Sequence, residues 1–173
     1  SKRRWQLDHP LLLAREMNLL KFGKTHLKTA VMDAIFDLDH EDFNLAFRIH
    51  ELCLEAESLV TKGHEVLILS DKKASAGVAA IPSLLIVSAI HHYLIKKGLR
   101  LNTSIVAETG EARDSHQIAC LLSYGADAIN PYLMEQLAFE LHKDKLLGVS
   151  AVEALDQYRQ GIVKGLLKIM SKM

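Results

Sequence analysis

Ser70, Asp71 and Lys72 stand together in one run, Glu108, Thr109 and Glu111 in a second, and Asn130 in a third. Carboxylates, an ammonium, hydroxyls and an amide brought to one place could move a proton or hold a polar ligand. Each run follows a short apolar stretch that reads as a strand, and in parallel α/β folds the working residues sit just past the C-terminal strand ends. Asp37 and Asp39 hold the same position after an earlier apolar run. Asp and Ser are also the residues that helix N-termini require, so capping is the competing role for these positions.

The other reactive residue types lack the spacing that chemistry needs. The chain has nine histidines, but His91 and His92 are adjacent and so point to different sides of a helix. His50 opens HELCL, which has no second His at the fourth position on, as a zinc-protease helix would. His116 could cap or line the helix after the TGEAR turn. Cys53 and Cys120 both lie in apolar helical runs, where a cysteine acts as a small buried hydrophobe. Gly77 and Gly110 are isolated, with neither GxGxxG nor a Walker lysine around them. Gly110, ahead of a helix, could present backbone amides to an anion. No GxSxG elbow is present.

Short β-rich runs alternate with longer amphipathic ones. Residues 8–21 read as a short helix after Pro10, ended by Gly23, and Thr29 to Phe36 as the first strand. Asp39 or Asp42 can cap a helix running to Gly63. EVLILS, Glu65 to Ser70, is a continuous apolar run too short for a helix and reads as a buried parallel strand. DKKASAGVAA reads as a small-residue loop, and Pro82 to Lys97 as a helix with proline in its first turn and Gly98 at its end. Ser104 to Glu108 is a third strand, Ser115 to Tyr124 a helix, and Ala126 to Asn130 a short fourth strand. From Tyr132 onward the chain is helical, with a break near Gly148.

About four successive βα units predict an α/β fold with a parallel sheet and flanking helices. Four units are half of an eight-unit barrel, so the expectation is a half-barrel or an open sheet with edges that need cover. All 173 residues read as a single domain, with 1–25 as a helical lead-in and 150–173 as a closing helix. The 21 basic and 21 acidic residues cancel, which argues against a nucleic-acid or anionic-membrane partner. The aromatic residues occur singly and suit core packing better than base stacking. The longest apolar stretch, Ala76 to Ile90, is too short to span a bilayer and is interrupted by Gly77, Pro82 and Ser83. With no apolar leader, the expected location is cytoplasmic.

The run from Ile81 to Tyr132, IPSLLIVSAIHHYLIKKGLRLNTSIVAETGEARDSHQIACLLSYGADAINPY, resembles the central domain of the glutamate synthase large subunit. That family carries IPSLL, HHxLI, GLR, ESGE and GYGAxAxNPY in this order. HPLLLAREMNLLKFG, LILSD and the closing GLLKIMSKM extend the resemblance over nearly the whole chain. Two departures are modest: the family's GEPRE turn is GEARD here, with Ala112 for proline, and its second HH is His116-Gln117.

The resemblance implies a connecting domain, with a fold like an incomplete flavin barrel, inside an enzyme that makes glutamate from glutamine and 2-oxoglutarate. Its partners would be a glutaminase domain and an FMN-binding synthase domain, with ammonia passing between them through a tunnel. The parent's FMN and 3Fe–4S cluster would be held elsewhere. The glutaminase nucleophile would be an N-terminal cysteine, where this chain has Ser1. No catalytic, cofactor or metal residue is therefore assigned in this chain. Ser70, Asp71, Glu108 and Asn130 are the candidates for a polar surface facing the neighbouring domains or the tunnel. The alternative is a small autonomous βα enzyme or ligand-binding homodimer, with a phosphate or flavin site at the Asp71–Glu108 rim.

Overall fold

The computed structural model describes residues 7–23, 25–38, 44–143 and 148–172. Four strands, β1 (Thr29–Asp33), β3 (Val66–Ser70), β5 (Ser104–Glu108) and β6 (Ala128–Asn130), form one parallel sheet in the order β1-β3-β5-β6. Val31 pairs with Ile68, Ile68 with Val106, and Val106 with Ala128, so the register runs straight across the sheet. Every residue of β3 is buried, as expected for a strand covered on both faces.

Three helices connect these strands: α2 (Leu45–Thr61), α3 (Ser83–Lys96) and α4 (Ser115–Ser123). All three pack on the same face. Leu52, Ala56 and Val60 from α2, Ile86, Ile90 and Leu94 from α3, and Ile118 and Leu121 from α4 share one cluster with Leu67, Leu69, Ile105 and Ile129 of the sheet. The alternate strand residues, Val66, Ile68, Val106 and Ala128, point the other way. They are covered by Leu12 and by Met17 and Leu20 of α1 (Ala14–Phe22). The expected lead-in is thus part of the core.

That same N-terminal segment also covers the β6 edge. Ile129 N–H donates to Pro10 O and Leu12 N–H to Ile129 O, both at 2.8 Å, so residues 10–12 lie along β6 as a parallel extension of the sheet. Leu11 and Leu12 then fall on opposite faces, one in each cluster. A backbone edge that would invite another chain is blunted by the protein's own N-terminus.

The structure departs from the sequence expectation in two strands. The first strand does not run unbroken to Phe36: after Asp33 the chain leaves the sheet at Ala34 and forms β2 (Ile35–Asp37). Its partner is β4 (Val78–Ala80), inside the stretch read as a loop, and the two pair antiparallel with Phe36 opposite Ala79. Ala34 joins both systems, donating to Ser70 O at 2.8 Å and accepting from Ile81 N–H at 2.9 Å. Small residues and a glycine suggest a loop, yet their backbone groups are satisfied by pairing across about forty residues of chain, which no local propensity signals.

The start of α2 differs as well. Asp39 and Asp42 lie outside the described residues, and the cap is Asn44, whose Oδ1 accepts from Phe47 N–H at 3.2 Å. Replacing Asn44 with Ala should destabilise the chain by about 1 kcal/mol in urea unfolding, the usual cost of losing such a cap. An unchanged midpoint would show that this bond contributes nothing.

After β6, α5 (Tyr132–Lys143) and α6 (Ala151–Met170) complete the elements, with α6 packed on α4 and α5. Ser150 and Glu153 form a capping box at the start of α6. Arg159 of α6 reaches back to Glu16 of α1 at 3.0 Å.

Candidate functional site: a buried polar mouth at the strand ends

β3, β5 and β6 end side by side, with Ser70 paired to Glu108 and Glu108 to Asn130. The register therefore brings Ser70, Asp71, Glu108 and Asn130 to a single mouth. All four are buried, Glu108 completely, and each is bonded within the chain.

Glu108 is the centre. Ser70 Oγ donates to its Oε1 at 2.7 Å, and Lys21 Nζ, from α1, donates to the same oxygen at 2.8 Å and lies against Oε2 as well. Lys72 Nζ stands 3.9 Å from Oε1 and 5.0 Å from the centre of the Tyr132 ring. A carboxylate with no access to water is tolerable only when paired and hydrogen-bonded, and both conditions are met here.

Asp71 organises the TGEAR turn. Its carboxylate accepts Thr109 Oγ1 at 2.8 Å and Gly110 N–H at 3.0 Å. Burial, then the Asp71 carboxylate, pushes the Tyr132 phenol well above its usual range, so Tyr132 stays protonated. Glu111, next in the turn, caps α3 by accepting Ser83 N–H at 3.0 Å and Ser83 Oγ at 2.7 Å. The capping role therefore holds in this turn, although Glu111 acts on the preceding helix rather than on α4.

Asn130 Nδ2 donates to Leu12 O at 2.9 Å and lies 3.4 Å from Glu135 Oε2, while Glu135 Oε1 accepts Ala14 N–H at 2.7 Å. A carboxylate of α5 thus meets the positive N-terminus of α1. Burial nevertheless raises the Glu135 pKa above its ordinary value, with Glu16 adding to the rise, against the pull of Ala14 N–H, Asn130 and Lys72. A group whose folded pKa is raised contributes stability that is complete below its unfolded pKa, and that contribution is lost as pH rises through the raised folded value. Glu135→Gln removes this titration. Its stability relative to the parent chain should therefore improve in urea unfolding as pH rises from below the ordinary carboxylate pKa through the raised folded value. Parallel profiles would show that Glu135 does not titrate differently on folding.

The space left inside the mouth is small. A cavity of about 10 Å³, bounded by Leu69, Asp71, Ser83, Ala107 and Glu108, has room for a water but not for a flavin ring. On the helix side, a groove of about 270 Å³ runs between α3 and α4 past Leu84, Ala112, His116 and Cys120. Cys120 Sγ lies 3.8 Å from His116 Nε2, and burial pushes the Cys53 thiol up, away from reactivity. Among the described residues no three His, Cys, Asp or Glu side chains converge on a metal position. No helix of the described residues is long and apolar enough to cross a membrane.

Sequence reading missed Lys21 and Glu135, the two charged residues that close the mouth. Lys21 is 87 positions from Glu108 and reads as an ordinary last-turn helix cation. The signal for Glu135 was its place five residues past Asn130, one turn into the helix that leaves the strand end.

By fold and site this is an open parallel α/β domain with α2, α3 and α4 on one face and α1 on the other, whose strand ends are filled by its own side chains. The family described as the glutamate synthase central domain matches residues 1–173, and the chain belongs to that family. It is 40% identical over 176 residues to the NADPH glutamate synthase large chain of Bacillus subtilis, covering 99% of this chain and 11% of that protein. It is 36% identical to the ferredoxin-dependent glutamate synthase of Pyropia yezoensis, over 97% of this chain and 12% of the relative. It is 32% identical to the NADH glutamate synthase of Schizosaccharomyces pombe, over 99% and 8%. The chain thus spans about a tenth of the length of these relatives.

Proposed function

We propose that this domain is the connecting module of a glutamate synthase large chain. It would stand between a glutaminase domain and an FMN-binding synthase domain, so that ammonia released from glutamine reaches 2-oxoglutarate without escaping. The observation that carries this reading is the mouth itself. In an enzyme of this fold class the strand ends hold the reacting groups, whereas here Glu108 is committed to Lys21 and Ser70, and Asp71 to Thr109 and Gly110. The polar groups support structure, as an incomplete barrel between two catalytic domains would require.

Ser70, Asp71, Glu108 and Asn130 would act from beneath. They fix α1 and Lys72, and half-exposed Lys72 and Leu133 would form the rim that meets a neighbouring domain or the tunnel wall. The test is an FMN titration of the chain followed by flavin fluorescence. A connecting module gives no saturable quenching at tens of micromolar protein. Quenching that saturates near one flavin per chain or per dimer would overturn this reading in favour of an autonomous flavin-binding protein.

A further inference from the structure

α1 is a weakly held element on a strongly charged anchor. It is nine residues long, shorter than a helix that persists alone in water, and only Met17 and Leu20 of it are buried. Leu19 and Phe22 face outward, Phe22 being 81% exposed. Polar contacts hold the rest: Ala14 N–H on Glu135, Glu16 on Arg159, and Lys21 on Glu108. Elements with few buried apolar contacts open locally at lower cost than the core strands.

Lifting α1 would withdraw Lys21 and leave Glu108 with the Ser70 hydroxyl but without its nearest cation, a loss that by itself would hold the helix down. Lys72 changes that balance. Its ammonium stands 3.9 Å from Glu108 Oε1, the oxygen that Lys21 already uses, and its side chain is 44% exposed and so has room to move. Its backbone N–H lies 3.3 Å from Ser70 Oγ, which tethers it beside the same carboxylate. Two lysines therefore compete for one acceptor, the inner one carried by the helix and the outer one by the strand end.

We infer that α1 is a lid over the strand mouth, and that Lys72 takes over Glu108 from Lys21 when the lid lifts. The exchange keeps Glu108 paired in both states. Opening uncovers the part of the Val66, Ile68, Val106 and Ala128 face that Met17 and Leu20 cover when closed, together with Ser70 and Glu108.

Native-state amide hydrogen exchange on the chain tests this, read as the ratio of the α1 amides, Leu20 to Gly23, to the β5 amides. In the parent chain the α1 amides should exchange at least tenfold faster than those of β5, by local opening. Lys72→Met should slow α1 exchange about tenfold while leaving β5 unchanged, because the open state loses its substitute cation. Lys72→Arg should restore the parent ratio. Exchange of α1 at the β5 rate in the parent chain would overturn the lid. Unchanged or faster α1 exchange in Lys72→Met would overturn the part given to Lys72, and because β5 reports global stability, a generally weakened variant would not mimic either result.

Discussion

Glu108→Ala should destabilise the domain by about 3–5 kcal/mol, the usual cost of breaking a buried ion pair from one side. The effect is large because three groups depend on one carboxylate. Lys21 loses the carboxylate it donates to, Ser70 Oγ loses its acceptor, and Lys72 loses the charge it stands beside. The cavity left by the side chain adds to the cost. Lys21→Met should cost less, since Lys72 is in reach of the same Oε1. Glu108→Gln, which keeps an acceptor for Ser70, should fall between. Urea unfolding of the three variants gives the order directly. A Glu108→Ala variant within 1 kcal/mol of the parent chain would mean that the pair's attraction merely offsets its desolvation.

Gly125→Ala should cost about 2–5 kcal/mol, combining backbone strain with overpacking. Gly125 has φ of +120°, a conformation that side-chain-bearing residues rarely adopt. An added Cβ would stand 2.3 Å from His91 Cγ and 2.4 Å from Nδ1, so the imidazole must move. That nitrogen accepts Arg100 Nε–H at 2.8 Å, and burial, followed by the charges of Arg100 and His92, keeps His91 below its ordinary pKa and so able to accept. Arg100 also donates to Thr103 O, Gly125 O and Asp127 Oδ2, each at 2.8 Å, and Asp127 Oδ2 takes Ile105 N–H. Displacing His91 thus loosens the joint that sets the starts of β5 and β6. Gly63→Ala is the control, because Gly63 has φ of +87° with open space around it and should cost only about 1–2 kcal/mol of backbone strain. Equal losses at the two glycines would show that the His91 contact is without consequence.

The two central strands were legible because burial on both faces leaves a continuous apolar run, VLILS and SIVAE, that is too short for a helix. The connecting helices were legible from their period and their glycine ends. The three-residue strands β2 and β4 were not, since each exists through its partner rather than its own residues. The strand-end rule picked out Ser70, Asp71, Glu108 and Asn130, and register placed them together. What sequence could not give was their burial. Polar residues past a strand end suggest an open rim, and only the return of α1, carrying Lys21 across 87 positions, turns that rim into an interior.

The connecting role is tested most directly by stoichiometry. In a full-length glutamate synthase large chain carrying this domain, ammonia released and glutamate formed are measured together, with glutamine as the nitrogen source and a reductant supplied, for the parent chain and for Glu108→Gln. A connecting module predicts that glutamine hydrolysis and ammonia-dependent glutamate synthesis both persist in the variant, while free ammonia per glutamate rises severalfold. Unchanged coupling, or loss of ammonia-dependent synthesis itself, would contradict it, the second outcome by placing chemistry within this domain.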